Sequence, residues 1–190
     1  MTDPARTGPY RTVEVRWFRR GPLPEAVAAW FARLGAEVPE EVRTDRYLAP
    51  ASDALGVKVR AGRIEAKRRD ACLDVLRAGR AQGTVEAWAK WSFPLADATA
   101  APEAGWVEVR KRRRQRGRRF AARACALEVG EVEAASEAWW SVCLEAVGPT
   151  AAVRLVALAE AADLWLAADD APALGLEAAR SYPAWLMEVA

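Results

Sequence analysis

The sequence predicts an α+β fold: mostly antiparallel strands with a few helices and, where the sheet closes into a barrel, a charged lumen flanked by those helices. Three observations carry this. Short segments alternate apolar and polar residues and are punctuated by Gly and Pro. Only two stretches keep the period of a strong amphipathic helix. The polar side of strand after strand bears charge of both signs, as in Val57–Arg69 (VKVRAGRIEAKRR).

In chain order, residues 1–11 read as a loose tail. Thr12 to Phe18 alternates as a strand, with Glu14 and Arg16 on one side and Val13, Val15 and Trp17 on the other. Gly21 and Pro22 break it. Pro24 then opens a helix with Val27, Trp30, Phe31 and Leu34 on one stripe and Gly35 as its stop. Val42 to Leu48 is a second strand, with Arg43 and Asp45 on one face. Leu55 to Arg69 is a hairpin turning at Ala61-Gly62; one face holds Lys58, Arg60, Arg63, Glu65, Lys67 and Arg69, the other Val57, Val59, Ile64 and Ala66.

Asp70 to Arg80 reads as a short helix or a loop. Thr84 to Phe93 is a strand with Glu86, Trp88 and Lys90 on its charged side. Pro94 to Gly105 is a linker too short to divide the chain. Trp106 to Arg114 is a strand on which Glu108, Arg110 and Arg112 share a face, and residues 115–119 form a basic turn around Gly117. Phe120 to Val132 and Trp139 to Val147 read as two more strands. Pro149 starts the longest helix, with Val153, Val156, Leu158, Leu164 and Leu166 as its apolar face. The 190 residues form one domain with no internal repeat.

Composition narrows the chemistry. There is no histidine, which removes every Ser-His or Cys-His scheme and any imidazole metal ligand. The three cysteines are widely spaced and form neither a disulfide framework nor a zinc motif. Acid–base work falls to carboxylates, Lys, Tyr or metal-bound water. The N-terminus lacks an apolar signal core and no apolar run spans a bilayer, so the chain reads as cytoplasmic, with no membrane partner.

A densely charged hairpin face has an ordinary explanation, a solvated surface over a core, which is the commoner case in antiparallel sheets. The recurrence of such faces shifts the balance toward a shared lumen. A lumen of Arg and Lys is unstable when empty, and phosphate or triphosphate neutralises it. Glutamates within it could hold Mg²⁺ or Mn²⁺, which take oxygen ligands and bridge to phosphates. The run Arg110–Arg119 has a rival meaning as a phosphate-backbone patch for nucleic acid, against which the net charge of only +2 argues. The nine tryptophans are mostly core residues, and Trp88, on a charged face, is a candidate to stack on a base.

The order of these pieces resembles the CYTH, or triphosphate tunnel, superfamily, which includes class IV adenylyl cyclases and thiamine, inorganic and RNA triphosphatases. The family's Glu-x-Glu-x-Lys strand is Thr12-Val13-Glu14-Val15-Arg16 here. The RTDRYLAP segment (43–50), Lys58-Val59-Arg60 with Glu65-Ala66-Lys67, the run Val109 to Arg113, Leu127-Glu128-Val129, Cys143-Leu144-Glu145 and the final SYPAWL follow in family order. The sequence departs at Thr12 and Cys143, where the family has glutamates, and at Arg16, where it has lysine.

The resemblance implies that Lys58, Arg60, Lys67, Arg110 and Arg112 hold phosphates, with Lys111 and Arg113 instead of the last two if the register differs. It implies a metal site of Glu14, Glu145 and Glu128, and catalytic roles for Glu14 and Arg16. With two glutamates lost, one Mg²⁺ or Mn²⁺ replaces the family's pair. The expected partner is a phosphorylated small molecule or polyphosphate, and a homodimer stays open. Hydrolysis of a phosphoanhydride, binding alone in a catalytically weakened module, and RNA binding through residues 110–119 are the three functional readings.

Overall fold

The computed structural model describes residues 9–95, 104–120 and 123–190. Eight strands close into a barrel in the order β1-β5-β4-β3-β2-β6-β7-β8. They are β1 (Tyr10–Arg20), β2 (Glu41–Leu48), β3 (Leu55–Arg60), β4 (Arg63–Ala78), β5 (Ala81–Pro94), β6 (Trp106–Phe120), β7 (Arg123–Ala134) and β8 (Glu137–Val147). Every neighbouring pair is antiparallel. Three helices accompany the barrel: α1 (Glu25–Arg33), α2 (Ala151–Leu166) and α3 (Tyr182–Val189). Among the described residues no helix is long and apolar enough to cross a membrane.

Strand periodicity divides the protein into an inside and an outside. Val13, Val15 and Trp17 of β1, Leu127 and Val129 of β7, and Val142, Leu144 and Ala146 of β8 point outward and are fully buried beneath α1 and α2. α1 contributes Val27, Trp30 and Phe31, as its pattern predicts. α2 buries Leu158 and Leu166 of the expected face, but the rest of its contact stripe is Ala157, Ala161, Ala162 and Trp165, while Val156 and Leu164 are exposed. Small side chains let the helix lie close to the sheet, so alanines take the contact stripe that larger residues were expected to fill. Thr150 caps α2, its hydroxyl accepting from the Val153 N–H.

The third helix closes one end of the barrel. Trp185, Leu186 and Val189 of α3 pack against Phe18, Tyr47, Val109, Val132 and Trp139, with Trp185 stacked on Phe18 at 4.8 Å between ring centroids. The opposite end carries the β3–β4 turn, where Ala61 and Gly62 both take positive φ (47° and 68°), the pairing that a two-residue hairpin with native twist requires. The lumen is therefore a cup with its mouth at this turn.

Several expectations are corrected. β1 begins at Tyr10, inside the expected tail, and residues 1–8 lie outside the described ones. Asp70 to Arg80 is not a helix or loop: β4 continues to Ala78, paired with β5. Its register shifts between Arg69 and Ala71 and again between Cys72 and Asp74, and these irregularities break the alternation that would have betrayed a strand. Residues 115–119 are not a turn: β6 runs through Gly117 to Phe120 in unbroken register with β7. Positions 96–103 of the expected linker and positions 121–122 of the strand expected over Phe120 to Val132 lie outside the described residues.

Candidate functional site

The lumen encloses about 650 Å³ and is lined by nine cationic side chains and four glutamates, with Asp45 buried in its wall. Three ion clusters organise it, each built by inward-facing positions on strands that are neighbours or one strand apart.

The deepest centres on Asp45, whose side chain has no solvent exposure. Its Oδ1 accepts from Arg43 Nε (3.1 Å), and its Oδ2 lies 3.2 Å from Lys58 Nζ and 3.0 Å from Lys111 Nζ. Burial opposes ionisation of Asp45, but Lys111, Lys58 and Arg43 outweigh it and hold the carboxyl well below its ordinary range. Lys111 also donates to Tyr47 Oη and sits 3.9 Å from the Tyr182 ring centroid. Burial, with Lys58 nearby, drives its ammonium well below the usual lysine value.

The second centres on Glu128 of β7. Its Oε1 accepts from Arg16 Nη1 (2.9 Å) and its Oε2 from Arg113 Nη1 (2.7 Å). Burial works against the charge, but the two guanidinium groups dominate and keep this carboxyl well below the usual range. Arg16 also lies over the Tyr182 ring, 4.9 Å from its centroid.

The third joins Glu14, Glu145 and Lys67. Glu14 of β1 and Glu145 of β8 are register partners, and their carboxyl groups interact. Lys67 Nζ donates to Glu14 Oε2 and lies 3.9 Å from Glu145 Oε2. Burial raises both carboxyls; Lys67 and Arg16 pull Glu14 below its ordinary value, while Glu14 keeps Glu145 above its own. The Lys67 ammonium rests over the buried Trp88 ring at 5.2 Å, so that ring face is occupied from within the protein and the predicted base-stacking role has no support.

Toward the mouth the character changes. Arg60, Arg63 and Lys90 line the lumen with no carboxylate within ion-pair distance among the described residues. Arg63 is held by Ser92, donating to its hydroxyl (2.8 Å) and carbonyl (3.0 Å), and Lys90 lies over the Tyr10 ring.

Seven of the predicted site residues meet in this lumen: Glu14, Arg16, Lys58, Arg60, Lys67, Glu128 and Glu145. Two do not. Odd-numbered positions of β6 point inward, so Arg110 and Arg112 stand on the outer face, both exposed, with Arg112 near Glu40 (3.4 Å) and Glu131 (3.9 Å). Lys111 and Arg113 hold the lumen positions. Glu128, predicted as a metal ligand, has both oxygens taken by arginine.

Sequence reasoning noted the face of Arg43 and Asp45 but gave neither a role, and it missed Tyr47 and Tyr182. The signal was present in RTDRY, whose alternation puts Arg43, Asp45 and Tyr47 on one side. The basic run also holds a structural part: Arg116, expected in a basic turn, donates to the carbonyls of Phe31 (3.1 Å), Ala32 (3.4 Å), Gly35 (3.2 Å) and Ala36, capping the C-terminal end of α1.

The donor chemistry admits one hard divalent ion. Glu14 and Glu145 supply two adjacent carboxylates, and Mg²⁺ is commonly held by one or two carboxylates with water and substrate phosphates completing its shell. Among the described residues no group of three or more carboxylates, thiols or imidazoles is arranged to hold a metal. Burial pushes the Cys143 thiol well up, which leaves it a thiol rather than a thiolate ligand. Comparison of the chain with models of known protein families and with curated proteins gave no match.

Proposed function

We propose that the lumen binds a triphosphate or another polyphosphate chain and that the protein hydrolyses one of its phosphoanhydride bonds with a divalent metal. The observation that carries this reading is the excess of nine cations over four glutamates and the buried Asp45 in the cup, three of those cations standing at the mouth with no carboxylate within ion-pair distance among the described residues. Like charges confined at low dielectric repel strongly, and a ligand with several anionic oxygens removes that cost. The motif order shared with the triphosphate tunnel superfamily supports the same reading.

In this scheme Arg60, Arg63 and Lys90 draw the ligand into the mouth, and Lys58 and Arg113 fix its phosphate oxygens. Arg16 lies deeper, where its guanidinium stabilises charge developing on the transferred phosphoryl group. Glu14 and Glu145 would hold Mg²⁺ or Mn²⁺, which supplies Lewis-acid polarisation of a phosphoryl oxygen when bound. Helix α3 closes the far end and keeps bulk water from the inner clusters.

Calorimetry with tripolyphosphate, with and without Mn²⁺, run beside a phosphate-release assay, tests the proposal. Metal-stimulated release supports it. Tight binding with no release under either condition reduces the function to a binding module, and no binding at all removes it. The nucleic-acid reading is disfavoured by two observations: Arg116 is spent on α1, and Arg110 and Arg112 stand opposite Glu133 and Glu131.

A further inference from the structure

Resting on that reading, the geometry points to Lys67 as a displaceable internal counter-ion: it stands where a divalent ion would be held and makes metal binding conditional on a polyanion in the lumen. Three observations carry this. The Lys67 ammonium donates to Glu14 and lies 3.9 Å from Glu145, so one positive charge already spans the carboxylate pair. The Glu14 side chain is only 6% exposed, whereas those of Lys67 and Glu145 are 29% and 34% exposed, so the lumen reaches the lysine and one carboxylate more readily than Glu14 behind them. Finally, Lys67 stands in register with Lys90 across β4 and β5, and both line the lumen, so a second cation stands beside it.

With the lumen empty of anions, these two carboxylates are the only ion-pair partners of this ammonium among the described residues. A divalent ion must then displace it and leave it close to Lys90, at a cost in charge repulsion. A polyanion gives Lys67 and Lys90 a common partner. Lysine is suited to such an exchange because its ammonium is a compact charge on a flexible stem. Once Lys67 turns to phosphate, Glu14 and Glu145 keep only the more distant Arg16, itself bound to Glu128, and a divalent ion satisfies both. Linkage requires the reverse as well: metal on the glutamates releases Lys67 and tightens polyanion binding by the same factor.

The test measures Mn²⁺ binding alone, by calorimetry and by the electron paramagnetic resonance of bound Mn²⁺ in chloride buffer, for the wild type and for Lys67→Met and Lys67→Arg. Lys67→Gln replaces the Met variant if that fails to fold by circular dichroism. The neutral variant is expected to bind Mn²⁺ about tenfold tighter or more, within the usual range of coupling between sites. The Arg variant is expected to bind as weakly as the wild type, and Glu145→Gln in the Met background to lose the gain. Sulfate, exchanged for chloride at constant ionic strength, is expected to raise Mn²⁺ affinity in the wild type and leave Lys67→Met unchanged. A neutral variant that binds Mn²⁺ no tighter than the wild type, or a sulfate effect that survives removal of the lysine, overturns the inference. The Mn²⁺ arm uses no polyphosphate, so its failure is separate from failure of tripolyphosphate to bind.

Discussion

In the inner part of the lumen Arg16, Arg43, Lys58, Lys111 and Arg113 each lie against a carboxylate, whereas at the mouth Arg60, Arg63 and Lys90 have none within ion-pair distance among the described residues. The inner clusters resemble a packed core made of ions: each charge is fixed by a neighbour, and removing one partner strands another. The mouth is closer to a trap, with charges that water screens now and a ligand can pair later. Stability is therefore concentrated in the inner clusters and binding at the rim, with Lys58 and Arg113 belonging to both.

The largest break in that contrast is expected from Glu128→Ala. It leaves the buried Arg16 without its carboxylate and Arg113 with Glu41 alone, and arginine cannot escape by losing a proton. A loss of about 3–5 kcal/mol in urea denaturation is expected. Asp45→Ala should cost less, because Lys111, already driven below its ordinary value, can become neutral.

Acid probes the same clusters. Glu128 and Asp45 have carboxyls depressed in the folded state, so their contribution is complete above the ordinary carboxylate range, about pH 4, and is lost as pH falls below it. Glu145 is raised and acts oppositely: its contribution is present at low pH and is lost as pH rises through its elevated value. Denaturation midpoints followed downward from pH 6 should therefore show a steep net loss in the wild type and a shallower one in Glu128→Gln.

The rim gives the next effect. Arg60→Ala should weaken tripolyphosphate binding by roughly tenfold or more, since a hydrogen bond to a charged group contributes about 1.5–3 kcal/mol. Its stability should stay within about 0.5 kcal/mol of the wild type. A smaller signal is proton uptake on binding. Burial lowers Lys58 and Lys111, and an anion in the lumen raises both, so calorimetry between neutral pH and about 10 in buffers of different ionisation enthalpy should show protons taken up.

The smallest effect sharpens the comparison within one strand. Arg110→Ala and Arg112→Ala, on the outer face, should leave tripolyphosphate affinity unchanged and stability within about 0.5 kcal/mol. Arg113→Ala, one position away and inside the lumen, should weaken binding roughly tenfold or more.

The same residues show how much was legible beforehand. In β1 the alternation of Val13, Glu14, Val15, Arg16 and Trp17 has one reading, and the structure follows it, since apolar and charged sides are unmistakable. In β6 charges occupy both sides from Arg110 to Arg114, so period-two reasoning assigns two faces without saying which is inner. The answer comes from Val109, which packs under α3 and carries Lys111 and Arg113 inward with it. Asp70 to Arg80 was illegible for another reason: register shifts interrupt the alternation, and only pairing with β5 makes the segment a strand.

Local pattern alone determined that this chain forms strands with one charged side, that α1 buries Val27, Trp30 and Phe31, and that imidazole chemistry is absent. Those properties depend on neighbours a few residues apart, where side-chain direction follows directly from backbone period. Closure of the barrel, the inward turn of Lys111 and Arg113, the two-arginine grip on Glu128 and the placing of Lys67 against Glu14 and Glu145 were decided by tertiary structure. Each joins residues far apart in the chain, and burial of ions depends on which distant charge arrives opposite, which no short stretch of sequence specifies.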